Sequence, residues 1–161
     1  MTDAQAKDFR QQVSTFEKSY TSAVNTLAQN PGQTVSVEGA GIRTFNVSAA
    51  AVISRLSRAL VVAAPGVKSP AADSTSSKTI QINDPVLGRG GQRSGAALSA
   101  YQQMAVVHEG IHRTGWGPTP SMRRSPEGEW STHGAELGYP SNFEDDHREG
   151  YNRAAMELLG E

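Results

Sequence analysis

The chain contains no cysteine in its 161 residues. It therefore has no disulfide bonds and no thiolate metal ligands, and any metal site must be built from histidine and carboxylate side chains. An excess of one charge is also missing, because 15 lysine and arginine residues balance 16 aspartate and glutamate residues. Proteins that bind a nucleic-acid backbone usually carry a basic surface, so we expect no nucleic-acid partner.

Long apolar runs are absent as well. The first five residues are largely polar, and no later segment reaches the roughly 18 apolar residues of a membrane-spanning helix. We expect no membrane insertion and no signal-peptide export, which leaves the cytoplasm or a non-classical secretion route. The length suits one domain over 1–161, with an N-terminal helix and small sheet in 1–97 and the remaining elements in 98–161.

One motif stands out against this plain background. Residues 104–113 read M-A-V-V-H-E-G-I-H-R, in which His108, Glu109 and His112 form H-E-x-x-H. On a helix this spacing places both imidazoles on one face, and neutral imidazole is a common zinc ligand. Apolar residues recur at helical spacing through 98–112 on the same stripe, so the motif predicts a zinc-binding helix. The alternative is a buried helix with hydrogen-bonded histidines, but two stacked histidines and an acid are costly to bury without a partner.

With these residues the chain resembles the zincin metallopeptidases. The resemblance implies that His108 and His112 bind Zn²⁺ and that Glu109 is the general base for an attacking water. It does not extend to the metzincin branch, whose motif continues H-E-x-x-H-x-x-G-x-x-H: Gly115 matches, but Pro118 stands where the third histidine belongs. The gluzincin branch takes its third zinc ligand, a glutamate, from a later helix. The C-terminal segment of this chain offers a glutamate but lacks the branch's usual N-E-x-x-x-D signature.

A catalytic zinc ion usually has three protein ligands, so a third is expected from the C-terminal third of the chain. A helix is predicted over about 142–160, with Glu144 and His147 pointing near the core. Glu144 is the first choice because its place on a later helix matches that of the gluzincin zinc ligand. It also fits an S-x-x-E capping box over 141–144, in which the glutamate turns back to its own helix terminus. His147 is the second choice, and Asp146 and His133 remain as further candidates.

Peptide hydrolysis also needs a group that stabilises the developing oxyanion. Tyr151 and His133 are candidates, with Tyr139 beside them, although a tyrosine at a core-facing helix position is more often packing.

The fold class predicted is α+β, a small zincin-like domain with a short mixed sheet, the active-site helix and a C-terminal helix that supplies the third ligand. Before the motif, a helix is expected over about 3–28, followed by a hairpin of strands 34–37 and 42–47. A second helix is expected over 49–63, with Leu60 and Val61 pointing inward. A loop over 67–77 and a strand over 78–83 complete this part of the chain. In zincins a cleft-side strand pairs with substrate, so Ile80 and Ile82 mark a candidate substrate edge strand. An ordinary internal strand is the alternative.

Together these features predict a zinc-dependent metallopeptidase that acts on a peptide or protein. A zinc amidase acting on peptidoglycan or another non-protein amide would use the same water chemistry. A third alternative is a non-catalytic, zinc-stabilised binding domain, whose closed site would include His133 and His147. The order of motif and acidic C-terminal helix loosely resembles metallopeptidase domains of bacterial polymorphic toxins, which implies an effector with a protein inhibitor or immunity partner. The oligomeric state stays open.

Overall fold

A computed structural model describes residues 1–38, 44–68, 71–74, 78–112, 114 and 143–161, without the side chains of 73 and 143–147. Helix α1 (Asp3–Ala28) has the predicted bounds. Thr2 and Gln5 form a reciprocal capping box at its start, which satisfies two backbone N–H groups that a helix end leaves open. Phe16, Ala23 and Leu27 bury one side of the helix.

The predicted hairpin is present. Strand β1 (Thr34–Val37) pairs antiparallel with β2 (Phe45–Ser48), and Val35 lies opposite Val47 with both side chains buried. The two strands form a sheet of their own. Helix α2 (Ala49–Arg58) follows directly, because the Ser48 hydroxyl accepts a hydrogen bond from the Ala51 N–H and caps the helix.

The prediction that this second helix extends to residue 63 is wrong. Helix α2 ends at Arg58, and Leu60–Ala64 form strand β3 instead. Leu60, expected to point inward, is 64% exposed. A short apolar run such as L-V-V-A-A fits a buried strand as well as a helix, and here pairing of β3 with a later strand decides between them.

The second sheet is mixed and has the order β3-β5-β4. Strand β5 (Thr79–Asn83) runs parallel to β3, and the two-residue strand β4 (Ala72–Asp73) pairs antiparallel with its other side. Ile80 and Ile82 face the core as expected. The edge-strand prediction for them is nevertheless wrong, since β5 is the middle strand, and β4 arises within the segment expected to be a loop.

Two helices connect this sheet to the motif. Helix α3 (Asp84–Leu87) ends at Gly88, whose φ of 81° is the left-handed conformation that glycine adopts without strain. Helix α4 (Gly95–Ile111) then carries the motif. Gln102 anchors it, because this fully buried amide accepts a hydrogen bond from the Ser19 hydroxyl on α1 (2.6 Å) and donates one to the Val86 carbonyl of α3 (2.8 Å).

Helix α5 (Phe143–Leu158) closes the described fold and packs against α4 and β1. Tyr151, Ala154, Ala155 and Leu158 join the same hydrophobic core as α1, α2 and the two sheets. The described chain is therefore α+β, with five helices and two short sheets. Among the described helices there is none with the length and apolar character needed to cross a membrane.

Candidate metal centre

The motif lies at the C-terminal end of α4, where the helix stops earlier than expected. The helical spacing of apolar residues extends to His112, but α4 ends at Ile111, and the Thr114 hydroxyl donates a hydrogen bond to the Ile111 carbonyl (2.6 Å). His112 has left the helical conformation, with φ of −55° and ψ of 135°. Its ring centroid nevertheless lies 5.1 Å from that of His108, so the two imidazoles remain side by side.

Close packing with α2 holds this end of α4 in place. A Cβ atom built on Gly110 would lie 2.7 Å from Cγ1 of Val52 and 3.0 Å from Cγ of Leu56, which is closer than side-chain contacts allow. The glycine inside the motif therefore lets α4 approach α2 closely. Its neighbours Glu109 and Ile111 are buried as a result.

The three motif side chains form one compact group. One ligand atom each from His108, Glu109 and His112 lie within 4.8 Å of one another. All three residues are nearly inaccessible, at 9%, 4% and 8% exposure. Burying a carboxylate beside two imidazoles has a high desolvation cost unless a positive charge offsets it, and a metal cation or a proton supplies that charge.

Asn152 of α5 orients the first imidazole. Nδ1 of His108 lies 2.7 Å from Oδ1 of Asn152, and since an amide oxygen only accepts, Nδ1 carries the proton. In the neutral imidazole Nε2 of His108 then has a lone pair, and this nitrogen lies 3.6 Å from Oε2 of Glu109. A lone pair facing a carboxylate is electrostatically unfavourable, and a cation between them removes the conflict.

Tyr151 covers the pair of imidazoles. Its ring centroid lies 5.3 Å from that of His108 and 4.5 Å from that of His112, and the residue is fully buried. The adjacent Gly150 lets α5 approach the end of β1 closely, because a Cβ atom there would overlap the carbonyl oxygen of Glu38. The tyrosine therefore shields one side of the site from water and fixes both rings.

Ser74, just past the end of β4, contacts the carboxylate of Glu109. Its hydroxyl donates a hydrogen bond to Oε1 of Glu109 (2.9 Å) and lies 3.5 Å from the Glu109 carbonyl oxygen. Ser74 directly follows β4, so the mixed sheet reaches the acidic residue of the motif through this serine. The two oxygens of Glu109 thus face different partners, Ser74 on one side and His108 on the other.

These donors fit a divalent metal ion. Two imidazole nitrogens with a nearby carboxylate are the ligand chemistry that zinc favours, and the Asn152 contact matches the hydrogen bond that ligating histidines usually make through their second nitrogen. The group could hold a metal ion, and zinc as that metal stays a prediction from the donor chemistry.

The described fold locates only some of the other predicted site residues. Ile80 and Ile82 lie in the middle strand of the sheet and outside the histidine cluster. Glu144 and His147 fall on α5, but their side chains lie outside the described residues, as does all of His133. Tyr151 is the one oxyanion candidate that the described fold brings to the histidines.

Sequence reasoning missed Asn152 and Ser74. Carboxylates on the last helix are the partners that the sequence favours for the second ring nitrogens of the histidines, whereas Nδ1 of His108 contacts a neutral amide one residue beyond the core-facing Tyr151. Position 152 could have been found by extending the search to amide side chains on the last helix. Ser74 had no local signal, since it depends on a strand within an apparent loop.

A comparison of the chain with models of known families, with curated proteins and with solved structures found no match. The functional assignment therefore depends on the motif and on the geometry of this site.

Proposed function

We propose that this protein is a zinc-dependent hydrolase of the zincin type that cleaves peptide bonds. The observation that carries the proposal is the buried cluster of His108, Glu109 and His112, with Nδ1 of His108 already committed to Asn152. The other ring nitrogen of His108, Nε2, lies 3.6 Å from Oε2 of Glu109 and is the atom proposed to bind the metal. A carboxylate buried beside two imidazoles is costly for a purely structural core.

Each residue has a distinct role in the proposed reaction. His108 and His112 hold the metal, and Asn152 and Tyr151 fix the orientation of their rings. Bound zinc supplies Lewis acidity, which makes a water molecule more acidic and a carbonyl group more electrophilic. Glu109 takes the proton from the water and returns it to the leaving amine.

The carboxylate of Glu109 is well placed for this proton transfer. Its Oε2 lies 3.6 Å from Nε2 of His108, so the carboxylate is beside the nitrogen that would hold the metal. At 4% exposure, Glu109 has little competing solvent. Tyr151, whose ring packs against both imidazoles, is kept as the proposed stabiliser of the developing oxyanion.

Strand β4 is the proposed guide for an extended substrate. It contacts α4, and among the described strands it is paired on one side only, with β5. An extended peptide adds to such a strand through backbone hydrogen bonds, which favours peptides over compact small molecules. This role replaces the one that Ile80 and Ile82 were expected to have.

The function is tested with a panel of denatured proteins, unstructured peptides and isolated peptidoglycan. We expect zinc-loaded protein to cleave peptide bonds, a strong chelator to abolish cleavage, and added zinc to restore it. Release of amino groups only from peptidoglycan would instead establish the amidase alternative. Zinc binding without cleavage of any substrate would indicate the non-catalytic domain. The resemblance to toxin domains also predicts a protein inhibitor, and co-purification with a second protein would support that prediction.

A further inference from the structure

Glu109 makes two different contacts through its two carboxylate oxygens. Oε1 accepts a hydrogen bond from the Ser74 hydroxyl at 2.9 Å, whereas Oε2 lies 3.6 Å from Nε2 of His108. A glutamate side chain has three rotatable bonds, and a fixed partner on one oxygen restricts where the other can be. The bond to Ser74 therefore determines which oxygen faces the histidines.

Ser74 is itself held by the sheet. It follows β4, in which Ala72 pairs with Ile82 and position 73 pairs with Gln81. The Asn83 N–H also donates to the Ala71 carbonyl at 3.0 Å, which ties the start of the segment to β5. The serine hydroxyl is thus presented to α4 by a paired strand, although the site helix and the sheet are separate elements.

We infer that Ser74 is a positioning residue for Glu109: it holds Oε1 so that Oε2 is the oxygen that accepts and returns the proton. This rests on the proposed hydrolase function. Ser74 touches neither the histidines' ring nitrogens nor the position between them in the described contacts, and it acts only through Glu109. Loss of its hydroxyl leaves the metal ligands in place and lets the carboxylate rotate away from the reacting water.

The first test separates catalysis from binding. In zinc-loaded protein, Ser74→Ala lowers kcat by roughly 10- to 100-fold with KM and zinc affinity unchanged, because misplacement of a general base affects only the chemical step. Ser74→Thr restores most of kcat, since it keeps the hydroxyl. Ser36→Ala is the matched control, because Ser36 is an exposed serine on strand β1 away from the motif.

The second test does not depend on activity. The melting temperatures of the wild type, Ser74→Ala, Glu109→Ala and the double variant are compared with zinc in excess. If the two residues interact, the double variant loses less than the sum of the two single losses. Additive losses, or an unchanged kcat in Ser74→Ala, overturn the inference.

The two tests also separate this inference from the proposed function. A wild type that binds zinc but cleaves no substrate overturns the hydrolase proposal and, with it, the catalytic role of Ser74. Non-additive melting temperatures in that case would leave Ser74 as a structural partner of Glu109 only. A cleaving wild type whose kcat does not depend on Ser74 would overturn the positioning role alone.

Discussion

The amide oxygen of Asn152 accepts a hydrogen bond from Nδ1 of His108 at 2.7 Å across 44 residues of sequence. This contact determines the tautomer of the first histidine in the motif and leaves Nε2 to face the site. It also connects α4, which carries the motif, with α5. Outer partners of this kind are often as important to a metal site as the ligands themselves.

Substitution of Asn152 by alanine is therefore expected to weaken zinc binding by roughly 10- to 100-fold, because the imidazole loses the acceptor that holds its tautomer and orientation. Asn152→Asp should retain tight binding, since a carboxylate accepts the same hydrogen bond. Competition with a chromophoric chelator measures both affinities. Asn46→Ala is the control, being an exposed asparagine on β2. Equal affinities for the alanine variant and the wild type would show that Asn152 does not support the ligand.

The third ligand can be assigned by comparing Glu144 and His147. Both positions belong to α5, at about 10 Å and about 6 Å along the helix before Tyr151. Because the Tyr151 ring contacts both imidazoles, the spacing places position 147 nearer to the site than position 144, which the sequence ranks first. We expect His147→Ala to reduce zinc affinity more than Glu144→Gln. The opposite order, measured by the same chelator competition, would assign the gluzincin-like glutamate.

Gly150→Ala is expected to destabilise the protein, although alanine is the better helix former by about 1 kcal/mol. The added methyl group would overlap the Glu38 carbonyl oxygen, and such overpacking costs about 1–3 kcal/mol or more. Urea denaturation measures the change. Gly32→Ala is the matched control because a Cβ atom there has open space around it. Zinc affinity should fall in parallel, since Tyr151 and Asn152 follow directly. Equal stability of the two variants would contradict this packing.

Gln102→Leu tests how α4 is anchored. It leaves the Ser19 hydroxyl and the Val86 carbonyl buried without their amide partner, at an expected cost of about 1–3 kcal/mol in the free energy of unfolding. Adding Ser19→Ala should recover part of this loss, because it removes a buried hydroxyl whose remaining contacts, to the Thr15 carbonyl and the Ser99 hydroxyl, are long at 3.4 and 3.3 Å. Gln11→Leu, at an exposed position of α1, controls for the change of residue type. A double variant less stable than Gln102→Leu would contradict the shared hydrogen-bond network.

Much of the fold could be predicted from local patterns. The 3.6-residue periodicity of α1 and the short β-prone runs around the hairpin led to the observed elements, because each pattern is set by residues close in sequence. Strand β3 was mistaken for helix because its assignment depends on pairing with β5, about 20 residues later. The two residues of β4 carry no pattern of their own.

The residues of the site also divide into those that local sequence predicts and those that depend on packing. His108, Glu109 and His112 are recognisable because helix geometry converts their spacing into proximity. Asn152 and Ser74 reach the same place only through the packing of α5 and the mixed sheet, which no local spacing encodes. The residues that orient the motif are therefore visible only in the folded chain.

The most direct test of the central claim is the rate of peptide cleavage by zinc-loaded Glu109→Gln, measured beside the wild type at equal zinc occupancy. We predict that the variant binds zinc as the wild type does and that its kcat is lower by roughly 100- to 10,000-fold, because the amide cannot take the proton from water. Undiminished cleavage by the variant would contradict the role of Glu109 as the base. Loss of zinc together with cleavage would instead identify Glu109 as a metal ligand.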